Sequence, residues 1–139
     1  MTSQLNVDTI VDKAGSGGTN VKVANTSTYV SDGGNVTQNT VQSLCKFWTQ
    51  TIGSGTASNN DSFNSSGLTD NGTGDYTHTF TNAMGNNDYS AVGMAIGSLH
   101  SAHYNETNTL TTSFRQLIRS HTSTTDAELL SLQICGDLA

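Results

Sequence analysis

The chain contains no proline, only two cysteines, five Lys and Arg residues together, 6% aromatic residues and no long apolar run. Each shortage excludes something. Without proline, every turn falls to residues that tolerate positive φ, above all glycine and asparagine. Five basic residues against eleven acidic ones, a formal net charge of −6, do not furnish the clustered cations that neutralise phosphates. No nucleic-acid partner is therefore expected. No stretch approaches the roughly 20 apolar residues of a spanning helix, and the opening MTSQLNVDTI lacks the basic start and apolar run of a secretory signal. The expectation is synthesis and folding in a cytoplasm, without membrane insertion, with Cys45 and Cys135 as buried free thiols. Hydrophobic residues make up 33%, below the roughly 45–50% of an ordinary globular domain. An isolated copy would bury its surface only marginally, so help from identical neighbours is expected.

What the chain does have is small and polar: Asn, Thr, Ser and Gly account for 67 of its 139 residues. Threonine is β-branched and suits a pleated surface, while Asn and Gly serve tight turns, so the mixture favours short strands joined by turns. Disorder is the competing reading of such polarity. Against it stand a charged fraction of only 12% and apolar residues that recur at strand spacing through the second half.

Residues 1–24 read as an extended β-hairpin arm, with Leu5, Val7 and Ile10 in a first strand and Val21 and Val23 in a second. A lone hairpin is marginal in water, so this arm is expected to attach to another surface. Residues 25–43 form a polar connector without sustained periodicity, and residues 44–139 form the dense domain. There Tyr76, His78 and Phe80 alternate with threonines, Phe114, Gln116 and Ile118 share one side of a strand, and Leu130, Leu132 and Ile134 share another. Such alternation marks half-buried strands. Asp126–Leu130 has helix-forming residues, but the period-two pattern beyond it favours a strand that follows a turn. The expected core is Phe47, Trp48, Phe63, Tyr76, Phe80, Tyr89, Phe114, Ile118, Leu132 and Ile134. The expected fold is all-β, an antiparallel β-sandwich of jelly-roll-like type with an N-terminal arm, in an oligomer that covers faces such as those carrying Leu117 and Leu129.

Motifs that carry chemistry are incomplete. The run Asp70-Asn71-Gly72-Thr73-Gly74-Asp75 has the oxygen spacing of a calcium loop, yet Thr81 stands where a bidentate glutamate is required, and a hairpin turn explains the run. His100 and His103 point to opposite faces of a strand, which makes them poor joint metal ligands. Gly53-Ser54-Gly55 is a turn and no nucleophile elbow. Asp61, Asp70, Asp75 and Asp88 are the carboxylates that a polysaccharide-cleaving enzyme would pair, but aromatic platforms for a sugar are scarce. Six glycosylation sequons, among them Asn71-Gly72-Thr73, follow from composition. Neither a catalytic residue nor a metal or cofactor is expected.

The segment Asp61-Ser62-Phe63-Asn64-Ser65-Ser66-Gly67-Leu68-Thr69-Asp70-Asn71-Gly72-Thr73-Gly74-Asp75-Tyr76-Thr77, with Phe80-Thr81-Asn82-Ala83-Met84 and Asp88-Tyr89 after it, resembles a module of tail-fibre and related virion proteins of marine and cyanobacterial tailed phages. Lys46-Phe47-Trp48 upstream and Leu132-Gln133-Ile134-Cys135-Gly136-Asp137 at the end fit the same pattern, as does Leu5-Asn6-Val7-Asp8-Thr9-Ile10. Relatives commonly carry proline where Gly85 stands and a small residue where Phe47 stands. The resemblance implies a compact, trimeric β-sandwich on the virion exterior, with neither cofactor nor reaction. It suggests a short tail fibre or fibre tip, or else a head decoration protein that stabilises the capsid. Partners would be further copies of the chain, other tail or capsid proteins, and a host surface glycan or protein. Recognition would fall to Ser54, Thr56, Asn59, Asn60, Asn71, Thr73, Asp75, Asn86 and Asn87, because loops on a rigid scaffold commonly carry binding.

Overall fold

The structure is a computed structural model that describes residues 28–30, 37–97, 100–121 and 123–137. The expected arm residues Leu5, Val7, Ile10, Val21 and Val23 lie outside the described residues. Within residues 25–43, β1 (Thr28–Val30) and β2 (Thr37–Asn39) form a short antiparallel hairpin. The domain that follows is an antiparallel β-sandwich, as the alternation predicts. Its strands are β3 (Cys45–Ile52), β4 (Ser58–Phe63), β5 (Ser65–Gly72), β6 (Asp75–Phe80), β7 (Ser90–Ile96), β8 (His100–Thr109), β9 (Ser113–Ser120), β10 (Ser123–Thr124) and β11 (Leu129–Cys135). One sheet runs β4-β3-β11-β7, the other β5-β6-β9-β8. The two-residue β10 lies on the β6 side of β9, beyond the end of β6. Ile118 shows this, because its N–H donates to Gly74 O and its carbonyl accepts from Thr125 N–H.

Period-two burial builds the core from both sheets. Tyr76, His78 and Phe80 of β6 and Phe114, Gln116 and Ile118 of β9 point inward, and Phe47, Leu130, Leu132 and Ile134 meet them from the other sheet. Two apolar clusters result. Phe47, Phe80, Met84, Phe114, Leu132 and Ile134 make the larger; Tyr76, Ile118, Ala127 and Leu130 make the smaller. The buried pair His78 and Gln116 belongs to neither cluster, and Gln116 Nε2 reaches across the sandwich to Ser131 O at 3.3 Å. Phe47 and Phe80 ring centroids are 4.9 Å apart at a tilt of 60°, within the range of favourable aromatic pairs.

Two expected core residues are not in the core. Trp48 and Phe63 are 37% and 52% exposed. Phe47 and Trp48 are consecutive on β3, so one must face out when the other faces in. Phe47 takes the inside with Thr49 and Thr51, and Trp48 pairs with Phe63 on the outer face. Cys45 and Cys135 are free thiols but half-buried, opposite one another on β3 and β11 where the register shifts.

The chain passes from one sheet to the other at Asn64, a single residue between β4 and β5 held at φ 61°. Asparagine tolerates this left-handed region better than most side chains. Its amide is fully used. Nδ2 donates to Lys46 O and Asn82 O, both at 3.0 Å, while Oδ1 accepts from Asn82 N at 2.7 Å and Asn82 Nδ2 at 3.1 Å. The Asn64 carbonyl accepts from Thr81 N–H. Replacement Asn64→Ala removes all four side-chain bonds and leaves a strained corner, so it is expected to destabilise the domain by about 2–3 kcal/mol in urea unfolding. Asn64→Gly keeps the corner and should cost less; equal stability of all three proteins would refute the role.

Candidate interaction surfaces

The strands run along one axis, which gives the sandwich two distinct ends. At the near end the chain arrives through Thr40–Leu44. Lys46 Nζ donates to Val41 O, Gln42 Nε2 donates to Asp137 Oδ2, Gly85 N donates to Asp137 O, and Met84 N donates to Thr111 O. At the far end the β3–β4 and β5–β6 turns meet the segment before β11. Tyr76 OH lies 2.7 Å from Gly53 O and 2.9 Å from Asp126 Oδ1, and Gly74 N donates to the same Asp126 oxygen at 2.7 Å. Glycine is required at both turns: a Cβ at Gly53 would lie 2.7 Å from Tyr76 OH, and one at Gly74, where φ is +67°, would lie 2.5 Å from Thr125 O. Burial, and then the Asp126 carboxylate, push the Tyr76 hydroxyl above its ordinary pKa.

The candidate recognition residues divide between these ends. Ser54, Thr56 and Thr73 are exposed on far-end turns, and Asn60 and Asn71 are exposed on the strands beside them. Asn86 and Asn87 are exposed at the opposite, near end, so no single epitope unites all nine. Asn71, Asn59 and Asp75 are held to the scaffold by their side chains, Asn71 through Nδ2, which donates to Thr77 Oγ1 at 2.8 Å and to Asp75 Oδ1 at 3.3 Å. Asn59 accepts from Thr51 Oγ1 at 2.7 Å and donates to Ser65 Oγ at 3.2 Å. Asp75 opens β6 and receives Arg115 Nε at 2.7 Å and Nη2 at 2.5 Å. The two Arg115 bonds hold its carboxyl below the usual carboxylate range.

Asp70, Asp61 and Asp126 are likewise engaged locally. Asp70 Oδ1 accepts from Gly72 N at 2.9 Å, Asp61 Oδ1 accepts from Ser62 N at 2.8 Å, and Asp126 holds the far-end turns. Among the described residues no group of three or more His, Cys, Asp or Glu is placed to hold a metal.

A feature that sequence reading missed is the outer face of the β4-β3-β11-β7 sheet. One row across it reads Phe63, Trp48, Gln133, Val92, and the next reads Asp61, Gln50, Ser131, Met94. Val92, Met94 and Ile96 are 67%, 69% and 55% exposed. A shallow groove of about 410 Å³ runs between the Trp48 side and the Val92–Met94 side over the smaller residues of β11. The signal was present in the sequence as a strand Ser90–Ile96 with apolar residues on both faces, since Ala91 and Ala95 fill the inner side. No protein family, curated protein or solved structure matches the chain.

The buried His78 gives this domain a measurable acid sensitivity. Burial holds its pKa down to about 4, opposed by the Gln116 hydrogen bond, against 6.5 for the free side chain. Nε2 lies 3.2 Å from Gln116 Oε1, and Nδ1 has no hydrogen-bond partner. The neutral ring is favoured in the fold, so its contribution is complete above pH 6.5 and is lost progressively as pH falls from about 6.5 to 4. The loss is on the order of 3 kcal/mol. Unfolding free energy followed over this window is expected to fall in the native protein and to flatten in His78→Leu.

Proposed function

We propose that this chain is a non-enzymatic structural protein of a tailed-phage virion exterior, a homotrimeric short tail fibre or fibre tip. The observation that carries this reading is the polarity of the sandwich. The N-terminal part of the chain joins at the near end, and the polar turns with Ser54, Thr56 and Thr73 stand at the far end. An arm anchored to the particle by residues 1–24 would therefore present these turns outward. Rigid antiparallel strands hold them in place, and their hydroxyl and amide groups suit a host surface glycan or protein. The likeness of residues 61–89 to phage tail-fibre modules supports the same reading, as does the local use of the carboxylates. On this reading the protein needs no cofactor, binds no nucleic acid and inserts into no membrane.

The same polarity also serves a head decoration protein, with the arm laid across capsid subunits and the sandwich as a knob. Location separates the two. An epitope inserted at Gly55, an open position on the β3–β4 turn, is expected to place antibody at the tail tip in electron micrographs of particles. Label spread over the head shell would favour decoration. Joint substitution Ser54→Ala, Thr56→Ala and Thr73→Ala is expected to lower host adsorption at least tenfold while leaving the melting temperature within about 2 °C, since surface changes of this kind usually cost under ~0.5 kcal/mol.

A further inference from the structure

We propose that the outer face of the β4-β3-β11-β7 sheet is the surface through which copies of this chain assemble, packed side by side around an axis parallel to the strands. The inference rests on the oligomeric reading above and assigns it a location. Three observations select a second copy as the occupant.

The first is charge. Each copy carries a net charge of −6, so identical copies repel wherever their acidic surfaces meet. The two rows that contain Trp48, Val92 and Met94 hold a single charge, Asp61, and it lies on the marginal strand β4. This is a face on which like-charged copies can meet without bringing carboxylates together.

The second is shape. The face presents a ridge of Phe63 and Trp48, a groove over β11, and a second ridge of Val92, Met94 and Ile96. The ridge of one copy has a groove to enter on the next. Four strands at about 4.8 Å and seven residues at about 3.3 Å give a footprint on the order of 450 Å² per copy. Three copies around one axis would hide about 1,350 Å² in total, about 450 Å² at each of the three contacts, which is the scale of a weak assembly that dissociates on dilution.

The third is direction. An axis parallel to the strands leaves every near end on one side of the assembly and every set of far-end turns on the other. Edge-to-edge pairing of the uncharged strand β7 with its own copy would be antiparallel and would send the N-terminal parts to opposite ends. Only the rotational packing agrees with attachment of all copies to one particle.

Sedimentation of the full chain at micromolar concentration is expected to give three times the single-chain mass of 14.6 kDa, with Trp48 emission shifting to the red on dilution. The double replacement Val92→Glu with Met94→Glu places charge on side chains that are already exposed in the single copy. It is expected to give a threefold lower mass with unchanged far-ultraviolet dichroism. Leu110→Glu, 49% exposed at the near end, should keep the assembly. If the double variant fails to fold, the uncharged pair Val92→Thr with Met94→Gln decides, with at least a tenfold weaker assembly expected. An assembled, folded double variant, or dissociation by Leu110→Glu as well, overturns the assignment to this face while leaving an oligomer standing. A monomeric native chain overturns the assembly itself, and the place of the protein on the particle is still decided separately by the epitope label.

Discussion

The left-handed corner at Asn64 is the constraint on which the sandwich depends. β4 and β5 are almost one continuous run of strand, and without a sharp turn between them the second would continue in the first sheet. One residue at φ 61°, with all four amide hydrogen-bonding positions filled, sends the chain into the opposite layer. Because its partners are Lys46 at the start of β3 and Asn82 after β6, the corner also ties both sheets together at the near end. The far end has a counterpart in Tyr76, Gly53, Gly74 and Asp126. Polar side chains thus pin the two ends, and the apolar clusters fill the space between.

This arrangement explains how a chain so poor in apolar residues closes a core. Alanine, glycine and threonine occupy inward positions next to a few large side chains, and the His78–Gln116 pair lies buried where a fatter sequence would place leucine. Buried polar groups of this kind add less stability than apolar ones but favour one alignment of the sheets. Trp48, Phe63, Val92, Met94 and Ile96, left outside the core, share one outer face, and that face is the one proposed above for contact between copies. On the proposed reading the two ends and this face separate three tasks: joining to the N-terminal segment, contact between copies, and display of polar turns.

Much of the fold was legible in the residues. Tyr76, His78 and Phe80, Phe114, Gln116 and Ile118, and Leu130, Leu132 and Ile134 alternate cleanly, and each set faces inward as that pattern requires. β4 and β8 were not legible, because Ser58–Phe63 and His100–Thr109 carry too few apolar residues for periodicity to register. Adjacent Phe47 and Trp48 left the facing of β3 undecided, and choosing both for the core put Trp48 on the wrong side. Met84 is buried from the connection between β6 and β7, where no repeating pattern exists to mark it. Among the recognition residues, turn composition located Ser54, Thr56 and Thr73, but it could not reveal that Asn86 and Asn87 stand at the other end or that Arg115 occupies Asp75.

The central claim, that copies meet through the outer face while the far-end turns stay free, is tested most directly by hydroxyl-radical oxidation of the intact chain. Met94 is 69% exposed in a single copy and Met84 is 1% exposed. The account predicts that at concentrations where the protein is assembled Met94 is oxidised nearly as slowly as Met84, and that dilution raises its rate at least tenfold. Oxidation of Met94 at the rate of a free methionine in the concentrated protein would contradict it.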